Sequence, residues 1–313
     1  MAAVDIEISE VGPRDGLQSI DPIMPTEAKK RWISALAAAG VPEIEVGSFV
    51  PAKVLPQLAD TAELVEHARG ITGLTVAVLV PNLRGAENAL AVRPHKMTVP
   101  LSVSETHSLK NLRRTHEQVL EEVRGIRSAI DALPQEHRPH FEGSLSTAFG
   151  CTLEGEVPER KVIEMAGRLL EAGCDEVGLS DTTGFASPTQ VRDYTRHIHA
   201  EYGADKLTGV HLHNTRGQGL ANVMAALDAG LTTVDASMGG IGGCPFAPGA
   251  SGNIVTEDLV FLLESMGLKT GINFEGLMAA RQVLAAALPG VELYGFTPDA
   301  GLPRDFRAAT PQS

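Results

Sequence analysis

Short runs of apolar and β-branched residues alternate along this chain with longer segments whose apolar positions recur at helical spacing, and the pairing repeats eight times. The first run, 5–12, ends in Gly12-Pro13-Arg14-Asp15-Gly16; a helix predicted over about 26–39 follows, opened by Pro25-Thr26-Glu27 and stopped by Gly40. A second run, 43–49, precedes a helix predicted at about 56–69. Run three, 74–80, is nearly all apolar, as expected of a parallel strand covered on both faces, and a shorter helix follows Pro81-Asn82. After run four, 96–103, the spacing predicts one long helix near 109–132, with Leu109, Leu112, Val119, Leu120, Val123, Ile126 and Ile130 on one side. The remaining strands are predicted at 139–148, 176–180, 207–212 and 232–237, with helices at about 158–172, from 188, at 217–229 and at 254–265. One more helix, near 273–288, falls outside the repeat.

Eight strand–helix units in order predict a single α/β domain over 1–313: a (β/α)8 TIM barrel over about 5–266 with an additional C-terminal helical extension over about 270–313. A doubly wound open sheet is the structural rival, but no Gly-x-Gly-x-x-Gly turn follows the first run. With 43% apolar but only 4% aromatic residues, Val, Ile, Leu and Ala must do most of the core filling.

Charge narrows the partners. A formal net charge of −13 argues against nucleic acid and anionic membranes, whereas an anionic substrate stays compatible with a local arginine or a divalent metal. No stretch approaches the ~18 uninterrupted apolar residues of a membrane span. Cys151, Cys174 and Cys244 form no even or closely spaced set, which suits a reducing compartment. The start has no basic region followed by an apolar run, so neither a signal nor a transit peptide is expected, and a soluble cytoplasmic protein is.

A barrel carries its chemistry at the C-terminal ends of its strands, and polar residues concentrate there. Arg14 and Asp15 follow strand one, Glu45 and Ser48 lie near the end of strand two, and Asn82 follows strand three. Ser104 to His107 follow strand four, Thr147 and Cys151 strand five, Asp181 and Thr182 strand six; His211 and His213 end strand seven, and Cys244 and Asn253 come after strand eight. His211 and His213, two apart on a strand, share a face and converge on one point, where two imidazoles can grip a metal. A set of Asp, two His and an amide or second carboxylate suits octahedral Mg2+, Mn2+ or Co2+ better than a closed tetrahedral zinc. Each feature has a plainer reading. Arg14-Asp15 is equally readable as a local ion pair closing a turn, and Asp181 as the cap of one. Glu45 in an apolar strand is costly unless paired. Cys151 and Cys174 read as inert buried thiols; Cys244, among glycines and a proline, fits a packed core less naturally.

Taken together these residues resemble the 3-hydroxy-3-methylglutaryl-CoA lyases of the DRE-TIM metallolyase family. The likeness runs nearly the whole chain, from Glu10-Val11-Gly12-Pro13-Arg14-Asp15-Gly16-Leu17-Gln18 through Ser48-Phe49-Val50-Pro51, Pro81-Asn82-Leu83, Gly150-Cys151 and Asp181-Thr182 to His211-Leu212-His213-Asn214-Thr215-Arg216-Gly217. Its most specific stretch runs from Gly242-Gly243-Cys244-Pro245 to Ser251-Gly252-Asn253, followed by Thr256-Glu257-Asp258. The resemblance implies metal ligands Asp15, His211, His213 and Asn253, a catalytic Arg14, and Cys244 as the active-site cysteine on a mobile loop. It maps Glu45 and Asp181 onto acidic residues of the site, gives Glu257 a supporting role in the ligand shell, and implies a homodimer.

The implied reaction cleaves an acyl-CoA substrate to acetoacetate and acetyl-CoA with Mg2+ or Mn2+. Breaking the C2–C3 bond of a tertiary alcohol needs loss of the hydroxyl proton, for which His211 or Asp181 is the expected base, and stabilisation of the departing enolate, for which Arg14 is placed. Cys244 is expected to protonate that enolate. The rivals are the same chemistry on another 3-hydroxyacyl-CoA, with the His107 region and Pro248 as places where specificity differs, and a Claisen-condensing synthase of the isopropylmalate or homocitrate type. A third is a barrel kept only as a binding scaffold.

Overall fold

The computed structural model describes residues 4–242 and 252–310. Eight parallel strands pair in sequence order, and β1 (Glu7–Glu10) closes the barrel against β8 (Thr233–Ala236), with Ile8 opposite Val234. Between them lie β2 (Glu43–Ser48), β3 (Thr75–Leu79), β4 (Lys96–Ser102), β5 (His140–Ser146), β6 (Glu176–Ser180) and β7 (Gly209–His211). The expected (β/α)8 architecture is what the chain forms.

The helices are α1 (Thr26–Ala38), α2 (Thr61–Arg69), α3 (Leu83–Val92), α4 (Glu105–Asn111), α5 (His116–Asp131), α6 (Glu159–Ala172), α7 (Pro188–Tyr202), α8 (Gly219–Asp228) and α9 (Thr256–Ser265). Past the barrel, α10 (Phe274–Ala287) packs on α1, and a short α11 (Phe296–Ala300), which no periodicity announced, contacts α9.

Two expected helices differ from what forms. The segment 109–132 is not one helix: α4 ends at Asn111 and α5 starts at His116. Ser104 caps α4 by accepting from the His107 amide. Thr115 accepts from the Gln118 amide while Gln118 Oε1 accepts from the Thr115 amide, so a reciprocal cap starts a fresh helix. Arg113 between them is left-handed at φ 55, and Leu109, expected in the core, is exposed. The segment 56–69 likewise opens as a single 3-10 turn, Pro56–Leu58, before α2. Thr61 there donates to the Leu58 carbonyl at 2.8 Å and accepts from the Ser48 amide at 3.1 Å. Gly47 makes that approach possible, since a Cβ on it would stand 2.3 Å from Thr61 Oγ1.

The aliphatic filling sits between strands and helices. Ile44, Val46, Val76, Val78, Met97, Phe141, Leu145, Val177 and Val234 are all buried. The inside of the barrel is different. Ser9, Glu45, Lys96, Thr98, Glu142, Ser144, Thr233 and Asp235 line a cavity of about 450 Å³ there, with Gly178 and Gly209 supplying no bulk to plug it. Its upper wall includes Arg14, Asp15, His211 and His213.

Candidate active site at the barrel mouth

The turn after β1 sets two of the site's charges. The amides of Arg14, Asp15 and Gly16 all reach the Val11 carbonyl, at 3.1, 2.7 and 3.3 Å, winding one π-helical turn that delivers Arg14 and Asp15 to the cavity wall. Arg14 Nε donates to Glu45 Oε2 at 2.5 Å and Nη1 to Asp15 Oδ1 at 2.7 Å. Gln18 Nε2 adds a third bond, to Asp15 Oδ1 at 2.8 Å. Asp15 Oδ1 is thereby occupied, and Oδ2 faces the histidines.

β7 supplies His211 from its last position, and His213 follows two residues on, in an isolated bridge with Asn253. The backbone makes that pairing: Ile254 N donates to Leu212 O at 3.2 Å and Asn214 N to Gly252 O at 3.1 Å. The two Nε2 atoms face each other at 3.2 Å, with Asp15 Oδ2 at 3.8 Å from one and 3.9 Å from the other. Asn253 Nδ2 donates to the same Oδ2 at 2.8 Å and to the Ile241 carbonyl at 3.2 Å, while its buried Oδ1 has no hydrogen-bond partner among the described residues. Gly242 must be glycine, because at φ +114 a Cβ would stand 2.3 Å from Asn253 Nδ2 and 3.1 Å from Asp15 Oδ2.

The donor set fits a divalent cation. Asp15, His211 and His213 offer ligand atoms within 4.8 Å of one another, and Asn253, bonded to Asp15 Oδ2 through Nδ2, adjoins them with an Oδ1 that has no partner among the described residues. His211 Nδ1 lies 3.0 Å from Asp235 Oδ2, the arrangement that holds a ligating imidazole's proton on the far nitrogen and leaves Nε2 its lone pair. Electrostatics agree. Burial alone would raise Asp15, but Arg14 and the two histidines hold its carboxyl at about 2. Burial, then the neighbouring His211, pushes His213 down to about 4, so the imidazole is neutral and able to ligate. Burial pushes Glu45 up to about 7, with Arg14 opposing and Asp235 and Asp15 adding to the rise.

Arg14, Asp15, Glu45, His211, His213 and Asn253 come together as expected. Asp181 lies just behind the wall: its Oδ1 accepts from the Phe185 and Ala186 amides at 2.8 and 3.1 Å, as the capping reading has it, and its buried Oδ2 has no partner among the described residues. Burial pushes this carboxyl up to about 6. Cys244 and Pro248 lie outside the described residues. Glu257 touches none of the four ligands directly: it accepts from Arg281 Nη1 at 2.6 Å and from the Gly239 amide at 3.1 Å, in the turn whose Ile241 carbonyl accepts from Asn253 Nδ2. His107 is buried, lines the cavity and lies 2.7 Å from Ser102 Oγ through Nδ1. Cys151 and Cys174 are buried, and burial pushes the Cys174 thiol well up.

Asp235 and Lys96 join the cavity wall without a signal in the sequence, whereas Gln18 lies in the Glu10-to-Gln18 stretch that carries the resemblance.

Comparison with known proteins places this geometry. The family profile described as HMGL-like matches residues 5–284. The chain belongs to the HMGL-like family. Its relatives include the mitochondrial hydroxymethylglutaryl-CoA lyase of Mus musculus, 40% identical over 90% of this chain and 86% of the mouse protein. A hydroxymethylglutaryl-CoA lyase of Bacillus subtilis is 41% identical over 88% of this chain and 90% of its own length. Among solved structures, an HMG-CoA lyase from Acinetobacter baumannii in complex with coenzyme A and 3-methylmalate superposes with a TM-score of 0.88 at 38% identity, covering 98% of this chain and 99% of that one. As a member of this family, the chain carries a metal-type donor set of Asp15, His211 and His213 at the barrel mouth.

Proposed function

We propose that this chain cleaves 3-hydroxy-3-methylglutaryl-CoA to acetoacetate and acetyl-CoA, using Mg2+ or Mn2+ held by Asp15, His211, His213 and Asn253. The observation that carries the reading is the convergence of the two Nε2 atoms, 3.2 Å apart, on Asp15 Oδ2, with Arg14 paired to that same carboxylate. Bound there, the cation supplies Lewis acidity toward hydroxyl and carboxylate oxygens. Arg14 has Nε and Nη1 committed to Glu45 and Asp15, which fixes the plane of the guanidinium and leaves Nη2 for the charge that grows on the thioester oxygen. Of the two expected bases, Asp181, pushed up to about 6 by burial and with an Oδ2 that has no partner among the described residues, is the candidate to take the hydroxyl proton, because His211 has Nε2 committed to the cation and Nδ1 to Asp235. Cys244 enters through the resemblance as the acid that protonates the departing enolate. In handing over its proton the thiol becomes a thiolate, so the enolate's negative charge passes to sulfur.

The test is acetoacetate release from 3-hydroxy-3-methylglutaryl-CoA with and without EDTA. Cleavage that EDTA abolishes and Mg2+ or Mn2+ restores is the expected result. A protein that binds the metal and releases nothing overturns the substrate assignment. Among the described residues no helix is long and apolar enough to cross a membrane. We assign the chain to the cytoplasm on its cysteine usage, and a homodimer on the resemblance; a fluorescent fusion and sedimentation equilibrium check the two.

A further inference from the structure

We infer that Glu10, which faces away from the cavity, is a positioning residue that sets the metal site by fastening three of its carrier segments to one carboxyl group. Its Oε1 accepts from the Gly12 amide at 2.9 Å and from the Met238 amide at 2.9 Å, and its Oε2 from Thr256 Oγ1 at 2.7 Å. Gly12 opens the turn that bears Arg14 and Asp15. Met238 opens the turn that reaches Ile241, whose carbonyl accepts from Asn253 Nδ2. Thr256 begins α9, three residues after Asn253 itself. Two of the four candidate ligands, Asp15 and Asn253, therefore hang on segments tied to this group, and they bond to each other at 2.8 Å.

Packing leaves the clamp no freedom to drift. Glu10 is fully buried at the end of β1. A Cβ on Gly12 would stand 2.5 Å from Glu10 Oε1, 2.9 Å from the Trp32 ring and 3.2 Å from Ser237 Oγ. No cation pairs with Glu10 among the described ion pairs, and burial pushes its carboxyl up to about 8, with Thr256 and the Met238 amide opposing and Glu257 adding to the rise. Burial thus favours the protonated form. In that form Oε1 still receives both amides, and an Oε2 hydroxyl meets Thr256 Oγ1 with the hydrogen reversed. The clamp works through shape and hydrogen bonds, not through charge.

The inference rests on the metal-site reading, and its test separates the two. Mn2+ affinity by calorimetry, hydrogen exchange at the Gly12 and Met238 amides, and kcat and KM are measured for wild type, Glu10→Gln and Glu10→Ala. Glutamine keeps the Oε1 acceptor and puts a donor on Thr256 Oγ1. It is expected to match wild type within about threefold, the scale of an unperturbed neutral hydrogen bond. Alanine is expected to weaken Mn2+ binding and speed exchange at both amides by at least about tenfold, the loss expected when buried amides lose their acceptor, with kcat falling more than KM rises. Where the alanine variant does not fold, the isosteric Thr256→Val removes the Oε2 bond alone; weaker Mn2+ binding with faster Gly12 exchange is then expected. Unchanged Mn2+ affinity in a folded Glu10→Ala or Thr256→Val protein overturns the inference, as does a Glu10→Gln protein as impaired as alanine. A wild type that binds no Mn2+ sinks the metal-site reading instead, and exchange at Gly12 and Met238 still decides whether Glu10 holds the two turns.

Discussion

His211 Nδ1 and Asp235 Oδ2 stand 3.0 Å apart, so the imidazole that ends β7 is fixed by a carboxylate on the neighbouring strand, β8. An aspartate in that place orients the ring and raises the basicity of Nε2. Replacing Asp235 by Asn allows the amide to present a donor to Nδ1, which favours the tautomer with the proton on Nε2, where it would block the metal. Asp235→Asn is expected to lower Mn2+ affinity by about 10–100-fold, read by calorimetry on protein whose circular dichroism is unchanged. Wild-type affinity would show that His211 needs no such partner.

Arg14 is shared between Glu45 and Asp15, and its substitution tests charge stabilisation separately from metal binding. Arg14→Gln keeps a planar donor but removes the positive charge, so kcat is expected to fall by about 10²–10³, the range seen when a stabiliser of a developing oxyanion is lost. Near-normal turnover would remove Arg14 from the chemistry. Calorimetry on the same variant shows how far Asp15 depends on its cation for ligation.

At the opposite end of the cavity, Lys96 Nζ lies 2.7 Å from Glu142 and 3.6 Å from both Glu43 and Glu176. All four side chains are largely buried, and the carboxylates hold the Lys96 ammonium well above its ordinary pKa despite burial. Lys96→Met leaves three acids without their cation, and breaking a buried pair in this way costs about 3–5 kcal/mol. Urea denaturation is expected to show the unfolding free energy lowered by that amount, seen as a lower midpoint with an unchanged slope. A shift within experimental error would mean the acids simply take up protons and lose nothing.

Which parts of this arrangement were legible follows from what alternation encodes. His211 and His213 sit two apart, and a period of two places them on one face whatever surrounds them. Arg14 and Asp15 follow a strand directly, where a barrel puts its chemistry. Lys96, Glu142 and Asp235 were not read, because polar positions in an alternating strand ordinarily face solvent; in this barrel the polar face turns inward onto the cavity, and only closure of the sheet shows it. The break between α4 and α5 failed for another reason. The Thr115-x-x-Gln118 cap was present in the sequence, but apolar spacing ran on past it and outweighed the local signal.

Acidity gives the clamp at Glu10 a signature in stability. Its carboxyl is raised by burial to about 8 in the folded chain, against 4.5 for the ordinary group. Between those values the native state holds a proton that the unfolded state has released, so stability falls as pH rises. The contribution is fully present below pH 4.5 and lost as pH passes 8, with a slope of at most about 1.4 kcal/mol per pH unit for one proton. Glu43, raised to about 7 by burial against the pull of Lys96 and Ser9, and Glu45 slope the same way, so wild type alone does not isolate Glu10. Glu10→Gln does. It removes one titrating group without removing its hydrogen bonds, and the difference in unfolding free energy between wild type and Glu10→Gln is expected to drift in favour of glutamine steadily from pH 5 to about pH 8. Urea titrations of both proteins at half-unit steps measure it. Parallel curves would mean that Glu10 stays ionised in the fold, in which case Gln and Glu could not be interchangeable at that position.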